Sequence, residues 1–131
     1  MKSLIAIAFP FLLCFFLLTA CTHMEENSTY RQITMDEAVS VMANETDYLI
    51  LDVRTPEEFA SGHIPGAANL PNESIGTEEI PSLPDKDKLI LVYCRSGNRS
   101  KQAAQKLVNL GYTNIVEFGG IMDWKGEIVT E

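Results

Sequence analysis

Cysteine is scarce in this chain of 131 residues, which contains only Cys14, Cys21 and Cys94. Small extracellular domains that rely on disulfides carry cysteine at a much higher density, usually in even numbers. A disulfide framework is therefore excluded, and the fold must be stabilised by an apolar core. Each of the three cysteines then needs an explanation of its own.

Basic residues are also few. Ten Lys and Arg stand against 18 Asp and Glu, so the formal net charge is −8 at pH 7. Phosphate backbones repel a protein of this charge, which excludes nucleic acid as an expected partner. The chain also lacks an internal repeat and a glycine-rich dinucleotide-binding fingerprint, so neither a repeat architecture nor nucleotide binding is indicated.

Long apolar runs are absent except near the N-terminus. Residues 4–18 are almost wholly apolar and follow a single positive charge at Lys2. This run is too short, and ends too abruptly, for a comfortable membrane span, and it is typical of the hydrophobic core of a signal peptide. We therefore predict a signal peptide over residues 1–20.

The end of this segment, "LLTAC" at residues 17–21, resembles the lipobox of bacterial lipoproteins, in which small residues precede a lipidated cysteine. The resemblance implies that Cys21 becomes the acylated N-terminus, with palmitate among the expected acyl groups. It also implies a bacterial cell-envelope protein whose domain faces the periplasm or the exterior. The alternative is an ordinary secretory signal, or an N-terminal anchor, that happens to contain a cysteine. The choice between inner and outer membrane stays open.

Residues 21–30 are polar and acidic without periodicity, which predicts a lipidated tether between membrane and domain. Cleavage after residue 20 would discard Cys14, and lipidation would consume Cys21. Cys94 would then be the only free thiol in an oxidising compartment. A leftover cysteine in a secreted protein usually performs chemistry or pairs with another chain.

From residue 31 onward, short apolar runs alternate with amphipathic segments. "DYLILDV" and "KLILVYC" are continuous apolar runs, as expected for strands buried on both faces of a parallel sheet. Thr34 and Thr55 each open a segment that carries helix-start signals. This alternation predicts a single α/β domain over residues 31–131 with a mainly parallel sheet.

The segment "YCRSGNRS", residues 93–100, joins one apolar run to a helical pattern. A glycine-containing loop before a helix directs backbone N–H groups towards an anion, and Arg95 and Arg99 add positive charge. Such surroundings favour a thiolate at Cys94 and hence a nucleophile. The alternative is a buried structural cysteine, which is common for this residue type.

Three motifs together resemble the rhodanese superfamily in its single-domain form: "CRSGNRS", "LDVRTPEEFASGHIPGAANLP" and "GGIMDWKG". The resemblance runs from about Thr34 to Gly126. It implies a three-layer α/β/α fold with a mostly parallel five-stranded sheet. It also implies sulfurtransferase activity, in which a persulfide on Cys94 receives sulfur from thiosulfate, a polysulfide or a persulfide and gives it to a thiol or cyanide. No metal or organic cofactor is implied, and no protein partner is indicated.

Two other functions stay open at this stage. Cysteine-dependent phosphatases and arsenate reductases have a similar loop, but the phosphatases place one more residue between cysteine and arginine than the four that separate Cys94 from Arg99. A tighter loop favours a single sulfur atom over a tetrahedral phosphoryl group, and no carboxylic acid can be assigned to protonate a leaving group. A rhodanese-like module that only binds or carries sulfur is the second alternative.

The loop and its surroundings supply the remaining candidate residues. We expect Arg95 to meet an anionic donor, and Arg99 to face into the loop or back to the sheet and brace it. The other predicted persulfide-binding residues are Ser96, Gly97, Asn98 and Ser100. For the two serines, capping of the following helix is the alternative. Asp52 and Arg54 follow the preceding strand. We reason that they point to alternating sides, so that both cannot enter the crevice. We therefore predict a structural pair or a brace on the loop, with direct substrate contact as the alternative. His63 is expected to fix a turn, not to act as a base.

Overall fold

The computed structural model describes residues 29–130. The predicted signal peptide, Cys21 and most of the predicted tether lie outside the described residues. The strands are β1 (Arg31–Gln32), β2 (Tyr48–Asp52), β3 (Ala68–Asn69), β4 (Leu89–Cys94) and β5 (Ile115–Gly120). The helices are α1 (Met35–Asn44), α2 (Pro56–Ala60) and α3 (Asn98–Asn109), with short 3-10 helices at Asn72–Ser74 and Ile121–Asp123.

The five strands form one sheet in the order β1-β5-β4-β2-β3. Every pairing between these strands is parallel. The central strands β4 and β2 are the two continuous apolar runs of the sequence, because strands covered on both faces need apolar side chains on both. The predicted α/β architecture is confirmed.

Side chains from the sheet enter two separate cores. Neighbouring residues of β4 alternate between them, as the two-residue period of a strand requires. Val92 and Cys94 pack against α3, whereas Leu91 and Tyr93 pack on the side of α1. The helices therefore cover opposite faces of the sheet, which gives the predicted three layers. Tyr30, assigned to the tether from sequence, packs against the α3-side core.

The helix starts follow the side-chain chemistry of their first turns. At α1, the Thr34 hydroxyl accepts from the Glu37 N–H, and the Glu37 carboxylate accepts from the Thr34 N–H, which is a complete capping box. At α2, the Thr55 hydroxyl accepts from the Glu58 N–H, and Pro56 occupies the first helical position. Both starts are those predicted from sequence.

The pairing of β4 with β5 contains a register shift next to the cysteine loop. Val92 lies opposite Glu117, and Cys94 lies opposite Gly120, so three steps on β5 match two on β4. This is the two-against-one count of a β-bulge, which commonly redirects a strand near a functional site. Within residues 29–130, no helix is both long enough and apolar enough to cross a membrane.

Candidate active site

Cys94 is the last residue of β4, at the carboxyl edge of the sheet where ligands of such folds bind. Only 1% of its surface is exposed. The Gly97 N–H donates to Sγ of Cys94 at 3.0 Å, and α3 begins at the next residue. Gly97 has φ of +106°, a left-handed conformation that favours glycine and turns this N–H inward. A backbone donor and a helix N-terminus therefore converge on the sulfur atom.

Ser100 is the second polar group in contact with the sulfur. Its hydroxyl oxygen lies 3.4 Å from Sγ of Cys94, within reach of a hydrogen bond to sulfur. The same oxygen lies 2.9 Å from the Gly97 carbonyl and 2.6 Å from Oε1 of Glu117. Ser100 is fully buried in the first turn of α3. It therefore contacts the cysteine from inside the protein and does not cap the helix.

Glu117 is a buried carboxyl group that contacts Ser100, which in turn contacts Cys94. The sequence did not predict Glu117 as part of the site. It lies in β5, is 3% exposed, and its Oε1 also accepts from the Gly119 N–H at 2.9 Å. The available signal was a single acid within the apolar run "IVEF". Its proximity to Cys94 depends on long-range strand pairing, so the pattern alone could not place it there.

Gly120, the last residue of β5, has a steric role at the site. A Cβ on Gly120 would overlap the Arg95 carbonyl and come within 2.6 Å of the Ser96 Cα. The Met122 N–H donates to the same Arg95 carbonyl at 3.2 Å. The end of β5 thus packs directly on the cysteine loop, which explains Gly120 of "GGIMDWKG".

A rhodanese-like domain profile matches residues 34–127, most of the described chain. The chain belongs to the rhodanese family. It is 37% identical over 73 residues to thiosulfate sulfurtransferase PspE of Escherichia coli, covering 56% of this chain and 70% of that protein. It is 43% identical over 86 residues to a sulfurtransferase of Allochromatium vinosum, covering 63% and 77%.

Solved structures support the same assignment. A structure described as rhodanese with anions from E. coli has a TM-score of 0.58 and 35% identity, covering 64% of this chain and 99% of that one. A rhodanese-related protein from Thermoplasma volcanium has a TM-score of 0.65 and 31% identity, covering 78% and 100%. The predicted fold and the predicted enzyme class, a rhodanese-type sulfurtransferase, are confirmed.

The rim of the rhodanese loop is polar and open to solvent. Arg95, Ser96 and Asn98 are exposed, so their side chains surround the entrance and do not line its floor. Arg95 is held by its backbone carbonyl, while its guanidinium remains at the surface. This position agrees with the predicted contact to an incoming anion, and the contact itself stays a prediction.

Arg99 differs from its predicted orientation. Its guanidinium was expected to face into the loop or back to the sheet, but it forms an ion pair with Glu58 of α2, 2.9 Å between Nη2 and Oε2. The hydrogen bond to Glu58 raises the pKa of Arg99, with smaller contributions from the charges of Glu58, Cys94 and Glu73. The carboxylate on α2 provides a stronger partner than any backbone group inside the loop. Arg99 therefore links the loop to α2.

Asp52 and Arg54 form a buried ion pair with each other, 2.6 Å between Arg54 Nη2 and Asp52 Oδ2. The reasoning from alternation was wrong, because residues two apart share one face of a strand. Both side chains lie beside Tyr93, on the face opposite Cys94. Burial opposes the charge of Arg54, but the hydrogen bonds and charge of Asp52 outweigh it and raise the pKa of Arg54. Neither side chain contacts Cys94.

His63 is held in the turn that follows α2. Its Nδ1 lies 2.9 Å from the Phe59 carbonyl, and its ring stacks on the Phe59 ring at 3.7 Å between centroids. Its backbone exchanges hydrogen bonds with Val129. These contacts hold the turn in place, in agreement with the predicted structural role, and none of them leads to Cys94.

Proposed function

We propose that Cys94 accepts a sulfane sulfur, carries it as a persulfide and passes it to an acceptor. The observation that carries this proposal is the hydrogen bond from the Gly97 N–H to Sγ, made where α3 begins. A backbone donor at a helix N-terminus stabilises negative charge on the sulfur without a cation in contact with it. The same donors stabilise the anionic product when the sulfur is extended by one atom.

The proposed reaction has two displacements at sulfur. The Cys94 thiolate attacks the sulfane sulfur of thiosulfate, the S–S bond of the donor breaks, and sulfite leaves with the electron pair. An acceptor thiolate or cyanide then attacks the outer sulfur of the persulfide, and the Cys94 thiolate departs. No net oxidant or reductant is consumed, and no metal or organic cofactor is required by these steps.

Thiosulfate is the proposed donor for two reasons. Curated relatives, including PspE of Escherichia coli and GlpE of Pseudomonas entomophila, are named thiosulfate sulfurtransferases. Arg95 is exposed at the rim of the loop of an otherwise acidic protein. A free guanidinium at that position attracts an oxyanion and orients it by paired hydrogen bonds. A thiol or cyanide is the proposed acceptor.

The phosphatase alternative is weaker in this geometry. Arg99 is the arginine that would have to face the phosphoryl group, and it is engaged by Glu58. Glu117, a carboxyl group linked to Cys94 through Ser100, is buried and accepts two hydrogen bonds on one oxygen. It is therefore not directed at a leaving oxygen above the loop.

Intact-mass measurement of the protein after exposure to thiosulfate tests the proposal. We expect a gain of about 32 Da, one sulfur atom, that a thiol acceptor removes and that Cys94→Ala abolishes. A parallel incubation with p-nitrophenyl phosphate is expected to release no phosphate. Ester hydrolysis without sulfur loading would overturn the proposal, and loading without transfer to any added thiol or cyanide would indicate a carrier instead of an enzyme.

The proposal includes attachment to a bacterial membrane through lipids on Cys21, with the domain in the periplasm or outside the cell. Its support is the order of charge, apolar run, small residues and cysteine in residues 1–21. We expect Cys21→Ala to abolish lipid attachment, detected as loss of the acylated N-terminal peptide. A Cys21→Ala protein that stays in the membrane fraction at its unprocessed mass would show that the segment is an anchor.

A further inference from the structure

Glu117 lies buried beneath the cysteine loop without a basic partner. The ion pairs among residues 29–130 join other carboxylates, those of Asp52, Glu58, Glu79 and Asp47. A buried carboxylate without a cation is costly unless hydrogen bonds compensate it. Here both donors, Ser100 and the Gly119 N–H, converge on the single oxygen Oε1. A buried carboxylate with this energetic cost lies close to the proposed nucleophile, which indicates that it has a chemical role there.

The hydroxyl of Ser100 has one proton and several acceptors around it. Its distance to Glu117 Oε1 is 2.6 Å, shorter than its distance to the Gly97 carbonyl or to Cys94 Sγ. When Ser100 donates to Glu117, its own oxygen can accept from the thiol of Cys94. The three groups then form one continuous chain, S–H to O–H to carboxylate.

We propose that Glu117 is a positioning residue that shares one proton with Cys94 through Ser100, an inference that rests on the proposed role of Cys94 as nucleophile. The S–H bond of Cys94 breaks and its electron pair stays on sulfur. The proton passes to the Ser100 oxygen, whose own proton passes to Oε1 of Glu117. The reverse transfer restores the thiol.

This exchange keeps the number of buried negative charges constant. The charge lies on the carboxylate when Cys94 is a thiol and on sulfur when Glu117 is protonated. Because Cys94 is only 1% exposed, an internal acceptor lets its proton depart without first reaching bulk water. Forming two buried anions so close together would be opposed by their repulsion.

Other titratable groups near the pair are the carboxyls and the guanidinium at the rim, and the phenol on the far face. Arg99 on α3 is paired with Glu58 of α2, and the charges of Cys94 and Glu73 are close enough to act on it. Its raised pKa keeps Arg99 charged. Burial raises the pKa of Tyr93 across the sheet. Arg99 therefore stays charged, and Tyr93 stays neutral, while the proposed pair titrates.

The pH dependence of Cys94 alkylation by iodoacetamide tests this inference in the full chain, with mass spectrometry of the Cys94 peptide as the readout. A coupled pair loses its two protons in separate macroscopic steps. We expect the wild-type rate to rise to a plateau and then rise again at higher pH. A single step in the wild type would overturn the inference, and this result does not depend on any variant folding.

Two variants assign the second step. Glu117→Gln is expected to show one step, at lower pH than the second wild-type step, because the competing negative charge is gone. Ser100→Ala retains that charge but loses the hydrogen-bonded chain that stabilises the thiolate beside a protonated Glu117. Its plateau is therefore expected to be lower than that of the wild type, with its main rise at higher pH than that of Glu117→Gln. A Glu117→Gln protein that keeps both steps would also overturn the inference, whereas a purely structural role of Glu117 would lower all rates without changing the shape.

Glu45→Gln is the matched control, since Glu45 is exposed beyond the end of α1, on the side where β2 begins. Its profile is expected to match the wild type. Sulfur loading measured on the same samples separates the two proposals. Sulfur loading together with a one-step pH profile would support the proposed function and contradict the proton relay. A two-step pH profile without sulfur loading would support the proton relay and contradict the proposed function.

Discussion

Gly120 lies directly against the backbone carbonyl of Arg95. A Cβ at position 120 would overlap that carbonyl and reach within 2.6 Å of the Ser96 Cα. The contact is between two backbones, so no side-chain rotation can relieve it. It fixes the distance between the cysteine loop and the end of β5, the strand that also holds Glu117.

Gly120→Ala is therefore expected to displace the cysteine loop. A displacement of about 1 Å at a catalytic group can lower the rate of reaction on the order of 100-fold. Overpacking of this kind typically lowers the free energy of unfolding by about 1–3 kcal/mol. Steady-state sulfur transfer and urea unfolding measure the two effects. Gly76→Ala is the control, because a Cβ at Gly76 meets no atom within 4 Å. Equal activity of both variants would contradict the expected displacement.

Arg95→Ala is expected to weaken binding of thiosulfate and leave the fold intact, since the side chain is exposed and its backbone carbonyl makes the structural contacts. We expect KM for thiosulfate to rise about tenfold, which corresponds to about 1.4 kcal/mol. The melting temperature is expected to stay unchanged. Lys101→Ala, which removes an exposed charge from α3, is the matched control. An unchanged KM in Arg95→Ala would show that the donor does not contact this arginine.

Removal of Asp52 is expected to destabilise the domain strongly. Asp52→Asn leaves the charge of Arg54 buried without its partner, and breaking such a pair typically costs about 3–5 kcal/mol of the free energy of unfolding. Urea unfolding measures this loss. Lys88→Met is the comparison variant, because it breaks an exposed pair with Asp47 and is expected to change stability little. The prediction fails if both variants unfold at the same urea concentration.

The capping box of α1 predicts a pH dependence of stability. The backbone N–H of Thr34, and secondly its hydroxyl, lower the pKa of Glu37 below its ordinary value. A carboxyl whose pKa is lower in the folded state stabilises the protein above its unfolded pKa, and this stabilisation is lost as pH falls through the folded value. We expect Glu37→Gln to melt below the wild type at neutral pH. The difference should shrink as the pH falls through the acidic range, and a difference independent of pH would contradict the assignment.

The local features were predictable because their signals lie close together in sequence. The starts of α1 and α2 are determined by threonine caps at the helix boundary. The cysteine loop follows from an apolar strand, a glycine and a helix within a few residues of Cys94. The rhodanese resemblance was confirmed over nearly the range proposed for it.

The features that could not be predicted depend on contacts between distant segments. Glu117 approaches Ser100 only because β5 pairs with β4, and the bulge opposite Cys94 sets which residues meet. Arg99 lies 41 residues from Glu58, and no local pattern connects them. The roles of the loop residues in catalysis stay predictions.

The burial of Cys94 limits the access of large reagents to its thiol, since only 1% of the residue is exposed. In the protein without a transferred sulfur, the thiol of Cys94 is buried next to an exposed rim formed by Arg95 and Ser96. A second sulfur atom bonded to Sγ of Cys94 would lie about 2 Å from it. Gly97 and Ser100 already contact Sγ from the interior of the protein, so the second sulfur would lie on the side of the rim. In the proposed cycle the loaded protein would present its reactive atom to the rim. The unloaded protein would withhold its thiol from bulky disulfides.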